Sequence, residues 1–285
     1  MKSASIFVLF TLLVVSLHGQ VITGKVIDSS NAEPLVYASI GVVDSPIGTI
    51  TDENGNFKID VNGQSPNAII RISTISYKPK SFTIEELSNK ENTIKLIVDT
   101  IHLEAVVVRP SGKIKDVGSF NNNTTIRGGW GGTEYAKGYE TGLKIQLGTK
   151  PVNLKSLHIN LYKQSFDTVI LRLHIRSISH RMPSEELLSS NILIAVTKSS
   201  GLVDIDLSNY NLVFKGDIAL SLEWIRVVGV HKDRFFKPTK KFGSEPHPCV
   251  LFTQSKQGTT YYRRGCENNW VRQKMSPCIY LTVQE

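Results

Sequence analysis

The sequence predicts an all-β protein built from two β-sandwiches in series. Apolar and polar residues alternate along many short segments, which is the period of half-buried strands, and a short helix is indicated at one place only. Turn-forming residues separate these segments at short intervals. The charge balance changes near residue 109, which divides the chain into an acidic part and a basic part.

The first 20 residues have the features of a secretory signal peptide. Lys2 precedes an apolar run over residues 6–17, and the small residue Gly19 lies near its end. The run is shorter than the roughly 20 residues that a membrane-spanning helix needs, and we identify no longer apolar run further along the chain. We therefore expect cleavage near Gly19 or Gln20 and export to the periplasm or the outer membrane, with at most a peripheral contact with the membrane.

The most specific local pattern covers residues 48–60. Residues 52–56 are dense in turn formers, Gly55 can adopt a positive φ, and β-branched or aromatic residues flank the turn at alternate positions. This pattern predicts a β-hairpin. The turn lacks the ligand spacing and the closing glutamate of a calcium loop, so we predict no metal site there.

Four more segments accompany this pattern, namely residues 22–28, 33–40, 75–78 and 103–108. In content and order the five segments resemble the carboxypeptidase-regulatory-like domain. That domain is a small transthyretin-like β-sandwich found at the N-terminus of many TonB-dependent outer-membrane receptors and as an appendage of carboxypeptidases. The resemblance covers residues 21–108 and implies a spacer or docking module.

In those receptors a segment like residues 103–108 lies at or beside the TonB box, a strand that pairs with TonB by β-augmentation. The plug and the barrel strands that would follow are not recognisable in this sequence. We therefore interpret residues 103–108 as the last strand of the sandwich and do not expect TonB as a partner.

Residues 109–123 are rich in Pro, Gly, Ser and Asn, which predicts a linker between the two domains. Residues 21–108 contain 7 Lys and Arg against 11 Asp and Glu, a net charge of −4, whereas residues 109–285 contain 25 against 14, a net charge of +11. Either the second domain contacts an anionic partner, or its cations are simply hydrated. We expect no nucleic acid as partner of an exported protein.

The second domain, residues 124–285, is predicted to be a jelly-roll-like β-sandwich. Along residues 169–176 one face is apolar and the other carries Arg172, His174 and Arg176, so we expect His174 to point outward. Residues 183–188 are predicted to form a short helix that begins with proline. Long loops favour a jelly roll over an immunoglobulin-type domain. Further strands are predicted at residues 156–161, 202–207, 218–227, 250–254, 259–264 and 278–283.

The three cysteines, Cys249, Cys266 and Cys278, all lie near the C-terminal end of the sequence. In an oxidising compartment we expect one disulfide among them, with partners that the sequence does not determine. His247 precedes Cys249 by two residues, but the intervening proline favours a rigid strand entry over a thiol–imidazole pair, so no catalytic thiol is predicted.

Familiar catalytic motifs are absent from the sequence, including phosphate-binding glycine loops, zinc-binding helices and nucleophile elbows. No pair of carboxylates indicates a glycosidase. We therefore predict a non-enzymatic protein of the cell envelope without cofactor or metal. The alternative is an accessory protein of a secreted peptidase or glycan hydrolase, or a divergent hydrolase.

Two stretches combine cations with aromatic rings, which can stack on sugars and pair with carboxylate or phosphate groups. We expect them to form one contact surface for an anionic glycan, lipopolysaccharide or an envelope protein. The alternative is that the rings fill the core and the lysines are hydrated. The candidate residues are Lys232, Arg234, Phe235, Phe236, Lys237, Lys240, Lys241, Tyr262, Arg263, Arg264 and Trp270.

Overall fold

A computed structural model describes residues 20–88, 90–99, 112–120, 127–131, 137–235, 237, 248–255 and 258–285. The all-β prediction is confirmed, because strands dominate these residues and their single α-helix, Ile84–Leu87 (α1), is 4 residues long. No helix among the described residues is long and apolar enough to cross a membrane. Residues 1–19 and 103–108, with Phe236, Lys240 and Lys241, lie outside the described part.

Among its described residues, the first domain contains eight strands: β1 (Val21–Asp28), β2 (Ser39–Val42), β3 (Gly48–Ile50), β4 (Asn56–Asp60), β5 (Ile69–Ser73), β6 (Tyr77–Lys78), β7 (Lys80–Thr83) and β8 (Asn92–Val98). One sheet has the order β4-β1-β8-β6 and the other the order β3-β2-β5-β7. Alternate residues of both sheets, such as Val26, Ile40, Phe57 and Ile72, meet in one hydrophobic core. The first domain is therefore a two-sheet sandwich with its own core.

The predicted turn at residues 52–56 is confirmed, but the predicted hairpin is wrong. Asp52 Oδ1 accepts hydrogen bonds from the backbone N–H groups of Asn54 and Asn56, at 2.9 and 2.8 Å, and Gly55 has a φ of +77°. However, β3 pairs with β2 and β4 pairs with β1, so the turn leads from one sheet to the other. The alternating pattern does not distinguish two strands that pair with each other from two strands that lie in opposite sheets, because both arrangements bury every second residue.

The second domain contains fifteen strands among the described residues: β9 (Ile114–Gly118), β10 (Arg127–Gly131), β11 (Glu140–Gln146), β12 (Val152–Gln164), β13 (Thr168–Ser179), β14 (Met182–Glu186), β15 (Ile192–Val196), β16 (Gly201–Asp206), β17 (Val213–Phe214), β18 (Asp217–Val228), β19 (Cys249–Ser255), β20 (Thr260–Arg263), β21 (Val271–Gln273), β22 (Ser276–Pro277) and β23 (Ile279–Gln284). An eight-stranded sheet has the order β10-β19-β12-β23-β9, with β16 and β17 on β12 and β22 on β19. A seven-stranded sheet has the order β14-β13-β18-β11-β20-β21, with β15 on β13. Every strand predicted for this domain overlaps an observed one.

Aromatic side chains join the two sheets of the second domain. The Trp224 ring, fully buried on β18, meets the Trp130 ring of β10 edge to face at 5.5 Å between centroids, and it meets the Phe166 ring at 5.7 Å. The Trp130 ring in turn meets Phe252 of β19 at 5.2 Å. Such edge-to-face contacts add to the free energy of burial and hold the sheets in a jelly-roll-like sandwich.

Two segments differ from their predictions. The short helix predicted at residues 183–188 is not formed. Residues 182–186 form edge strand β14, because His180 and Arg181 both have positive φ values and return the chain in a tight hairpin. Pro183 is tolerated there, since an edge strand has backbone groups that need no partner. Residues 114–118, within the expected linker, form β9 and pair with β23, so this part belongs to the second domain.

The expected disulfide is not formed, and all three cysteines are buried thiols. Cys278 pairs with Thr253 through its backbone, and Cys249 lies four residues earlier on the same strand, which places it about 13 Å away. A disulfide needs Cα atoms within about 7 Å. Cys266 packs instead against the first domain, where a Cβ atom on Gly41 would lie 2.8 Å from its sulfur.

We predict that residues 21–110 fold without the second domain, because their hydrophobic core is built from their own residues. This fragment should be monomeric and melt cooperatively as a β protein in circular dichroism. A fragment that is unfolded, or that melts cooperatively only when residues 111–285 are added, would show that the domain boundary is misplaced.

Candidate functional site

Charged residues are concentrated on the outer face of the seven-stranded sheet, the face opposite to the hydrophobic core. Arg172, His174 and Arg176 alternate along β13 with buried apolar residues, as predicted. The strand register places Glu223 beside Arg172, and Glu140 beside Glu223. We call these five residues the ion cluster. Each of them is at most 7% exposed.

The first domain covers this face. Ser39 Oγ donates a hydrogen bond to Glu223 Oε1 at 3.1 Å, and the Arg172 guanidinium donates to the Tyr37 carbonyl oxygen. Ile75 of the first domain joins the hydrophobic core of the second. The prediction that His174 points into solvent is therefore wrong. It lies on the polar face of its strand as expected, but the first domain covers that face.

The carboxylates of the ion cluster are saturated with donors. Arg176 makes a two-point contact with Glu140, at 2.6 and 3.2 Å, while Arg263 and Ser221 also donate to Glu140. Arg172 Nη1 lies 3.1 Å from Glu223 Oε2. Burial favours the neutral acid, but Arg176 and Arg263 hold the pKa of Glu140 well below its usual range. Burial likewise opposes the charge of Glu223, but Arg172 and the imidazole of His174 lower its pKa.

His174 lies between two carboxylates. Its Nδ1 atom is 2.6 Å from Glu186 Oε2 and its Nε2 atom is 2.9 Å from Glu223 Oε2. An ionised carboxylate can only accept, so both ring nitrogens carry a proton and the ring is an imidazolium. Burial and the neighbouring Arg176 disfavour this charge, but Glu140 and Glu186 outweigh them and raise the pKa of His174.

Ligand atoms of Glu140, His174 and Glu223 all lie within 4.8 Å of one another, a spacing that would suit a metal ion. A metal ion needs a neutral imidazole and open carboxylate lone pairs. Here the imidazole and three guanidinium groups occupy those positions. The arrangement is therefore an ion-pair network that fastens the two domains, and we assign no metal to it.

Two cavities adjoin the ion cluster. A cleft of about 430 Å³ lies between the domains and is lined by charges of both signs, including Arg71, Glu186 and Glu267. We call it the interdomain cleft. A cavity of about 480 Å³ lies between the two sheets of the second domain, and we call it the intersheet pocket. Glu140 and Arg263 line both cavities, which therefore share a wall.

The intersheet pocket combines aromatic, amide and guanidinium groups. The eight-stranded sheet contributes Trp130 and Gln254, and the other sheet contributes most of the rest. Three sequence-predicted residues, Tyr262, Arg263 and Arg264, line it together. The other lining residues with functional side chains are Tyr139, Glu140, Thr141, Thr260, Gln273 and Met275.

The predicted residues have different roles in this region. Arg263 is held by Glu140 and is capped by the Trp270 ring, whose centroid lies 4.7 Å from its guanidinium carbon. Trp270 also lies over Arg176, at 5.4 Å. These contacts make Arg263 and Trp270 parts of the ion network, whereas Arg264 is exposed.

The basic loop does not join this pocket. Its first residues form a 3₁₀ turn, Lys232–Arg234, which is anchored where Ser165 Oγ donates to the Arg234 carbonyl and Lys163 Nζ donates to that of Phe235. The loop follows the end of β18 at residue 228. The strand register places Arg263 in line with Glu223 of β18, which lies five residues before that end, a distance of about 16 Å along the strand. Lys232 and Lys237 are exposed and Phe235 is half-buried. The structure thus separates the two stretches that the sequence suggested as one surface.

Comparisons with known proteins bear mainly on the first domain. Residues 22–108 match the family model of the CarboxypepD_reg-like domain. This confirms the resemblance seen in the sequence for that segment. No curated protein gives a significant match.

Solved structures show distant similarity only. The cysteine protease and lectin-like domains of a surface-layer-associated protein of Clostridium difficile are 11% identical at a TM-score of 0.35, over 93% of this chain and 58% of that one. A clostridial cysteine protease after propeptide cleavage is 8% identical at a TM-score of 0.38, over 93% of this chain and 70% of that one. A carbohydrate-binding module of the β-sandwich superfamily is 12% identical at a TM-score of 0.18, over 70% of this chain and 82% of that one. The chain thus spans 58% of the first of these structures.

Sequence reasoning missed the ion cluster, although one signal for it is present. Three ionisable residues occupy alternate positions of a long strand at Arg172, His174 and Arg176. Arginine and histidine are not needed to solubilise a hydrated face, and Glu223 stands at the matching place of a second predicted strand. A comparison of opposite charges on neighbouring strands would have indicated the pair of Arg172 and Glu223.

We predict that Glu223→Gln destabilises the protein strongly, because it leaves the buried Arg172 without a counter-charge. Breaking a buried ion pair costs about 3–5 kcal/mol of unfolding free energy. The control is Glu53→Gln, which removes an exposed ion pair with Arg226 and should cost about 1 kcal/mol or less. Urea denaturation followed by tryptophan fluorescence reports on the second domain, which holds all 3 tryptophans. Equal midpoints for the two variants would contradict the network's role.

We also predict that stability is greatest between about pH 4.5 and pH 6.5. The pKa values of Glu140, Glu186 and Glu223 are lowered from 4.5 in the folded protein, so their contribution is lost as pH falls through those lowered values. The pKa of His174 is raised above 6.5, so its contribution is lost as pH rises through that raised value.

Melting temperatures measured as a function of pH check this prediction. The His174→Gln variant should lose much of the decline on the alkaline side and keep the decline on the acidic side. An unchanged alkaline decline in this variant would show that another group causes it.

Proposed function

We propose that the chain is an exported, non-enzymatic protein of the cell envelope, whose second domain binds an acidic glycan. The observation that carries this proposal is the intersheet pocket. It is large enough for one or two sugar units, and aromatic rings, amides and a cation converge on it. The signal-peptide features of residues 1–20 support export.

Each class of group in the pocket has a use in glycan binding. Tyr262 offers a ring on which a sugar can stack, and Gln254 and Gln273 offer both donors and acceptors to its hydroxyl groups. Arg264 is exposed at this pocket and can make a two-point contact with a uronate carboxylate. Arg263 cannot do so without leaving Glu140.

The electrostatics of the pocket favour binding over hydrolysis. Glycoside hydrolysis uses two carboxyl groups, one of which has a raised pKa and acts as acid. Glu140 is the only carboxylate among the described lining residues, and two guanidinium groups hold its pKa well below the usual range. The nearby Cys266 is no nucleophile, because burial, with Glu267 and Glu223, raises the pKa of its thiol well above the usual value.

The first domain is proposed to act as a spacer or docking module that also fixes the orientation of the second. It contributes Tyr37, Ser39 and Ser73 to contacts across the interface. Rotation of the second domain against the first would separate buried charges from their partners, which costs free energy. The second domain is therefore held in one orientation toward its ligand.

The mature chain, residues 21–285, should bind polygalacturonate and not neutral dextran at low salt. Arg264→Gln should weaken binding about tenfold and flatten its salt dependence, because it removes a charge-assisted contact. Tyr262→Ala should weaken binding by a similar factor with little change in the salt dependence. Isothermal titration against polygalacturonate fragments measures both effects.

Two control variants sharpen this experiment. Lys58→Gln removes an exposed cation on β4 of the first domain and should leave binding unchanged. A variant with Gln at Lys237, Lys240 and Lys241 separates the basic loop from the pocket. Loss of binding in this variant, with parental binding by Arg264→Gln, would move the site to the loop. Absence of binding by the parent to polygalacturonate and lipopolysaccharide would overturn the proposal.

A further inference from the structure

A third cavity lies on the outer face of the seven-stranded sheet and belongs to neither site above. Its volume is about 390 Å³, and it is lined by Lys144, Arg181, Asp217, Thr259, Tyr261 and Arg272, with Ile178 at one side. We call it the outer-face pocket. It is formed further along the strands than the ion cluster, because Lys144 is four residues beyond Glu140 on β11.

The lining of the outer-face pocket has a clear excess of positive charge. It holds three cations, Lys144, Arg181 and Arg272, against the single carboxylate of Asp217. Lys144 Nζ lies 2.5 Å from Asp217 Oδ2, so this pair is already neutral. Arg181 and Arg272 are exposed and bring two further positive charges to the cavity. The pocket is therefore short of negative charge by two units.

The two arginines are held on structured elements. Arg181 lies in the tight turn between β13 and β14 and has a φ of +64°, a conformation that costs free energy in a residue other than glycine. Arg272 lies on β21 and is paired with Tyr261 of β20 through the strand register. The sheet therefore sets the backbone positions from which the two guanidinium groups reach the pocket.

The remaining polar groups of the pocket are also donors. Tyr261 is 2% exposed, and burial raises the pKa of its hydroxyl, which therefore keeps its proton and can donate. The Thr259 hydroxyl can donate as well. A site with two exposed guanidinium groups and two hydroxyl groups that can donate is complementary to an oxyanion, whose oxygen atoms only accept.

We propose that the outer-face pocket binds the phosphate group of a phosphate monoester. A phosphate monoester carries about −1.5 to −2 charges near pH 7, which matches the two unpaired charges of the arginines, whereas a carboxylate carries one. Planar guanidinium groups make two-point contacts with phosphate oxygens. The volume leaves room for the sugar or other small group to which the phosphate is attached.

Titration of the full mature chain with a hexose phosphate, followed by calorimetry, tests this proposal. Arg272→Gln and Arg181→Gln should each weaken binding about tenfold, since a hydrogen bond to a charged group typically contributes about that factor. Asp217→Asn should strengthen binding severalfold, because it removes the one negative charge and releases Lys144. This gain cannot arise from a folding defect. Lys58→Gln, an exposed cation outside the pocket, is the matched control.

Three results would overturn the proposal. The first is no binding of the hexose phosphate to the parent at low ionic strength. The second is parental affinity in the Arg181→Gln, Arg272→Gln double variant, or weaker binding in Asp217→Asn. The third is equal affinity for galacturonate and the hexose phosphate, since a carboxylate would then satisfy the site as well as a phosphate does.

Discussion

The requirement that every buried charge has a partner organises this molecule. The ion cluster is removed from water by the first domain, and a buried carboxylate or guanidinium without a counter-charge would cost several kcal/mol. Arg172 and Arg176 satisfy the carboxylates from one strand, and Arg263 reaches Glu140 from another. Apolar surfaces can slide over one another at small cost, but hydrogen-bonded charges cannot. The relative position of the two domains follows from this network.

Much of the strand pattern was predictable from the sequence, whereas the pairing of strands and the covering of faces were not. A period of two shows which residues share a face, and it located strands such as β12, β13 and β18. It does not show whether water or protein covers the polar face, which is why His174 was placed in solvent. For the same reason β3 and β4 were expected to pair, although they bury their apolar residues from opposite sheets.

The candidate site was predictable only where the signal was local. Tyr262, Arg263 and Arg264 are neighbours in the chain, and they do line one pocket. The chemical state of Arg263, however, depends on Glu140, which is 123 residues away in the sequence. Similarly, Arg181, Tyr261 and Arg272 meet in the outer-face pocket only because hairpins and sheet order bring their strands together. No window of sequence contains that information.

The wall shared by the interdomain cleft and the intersheet pocket has a thermodynamic consequence. Arg263 and Glu140 line both cavities. Binding in the intersheet pocket and closure of the interdomain cleft therefore both depend on this ion pair. A ligand whose anionic group competed for Arg263 would weaken the contact between the two domains. Linkage is reciprocal, so a force or partner that pulled the first domain away would change the affinity for that ligand by the same factor. Ligand affinity would therefore depend on how firmly the two domains are held together.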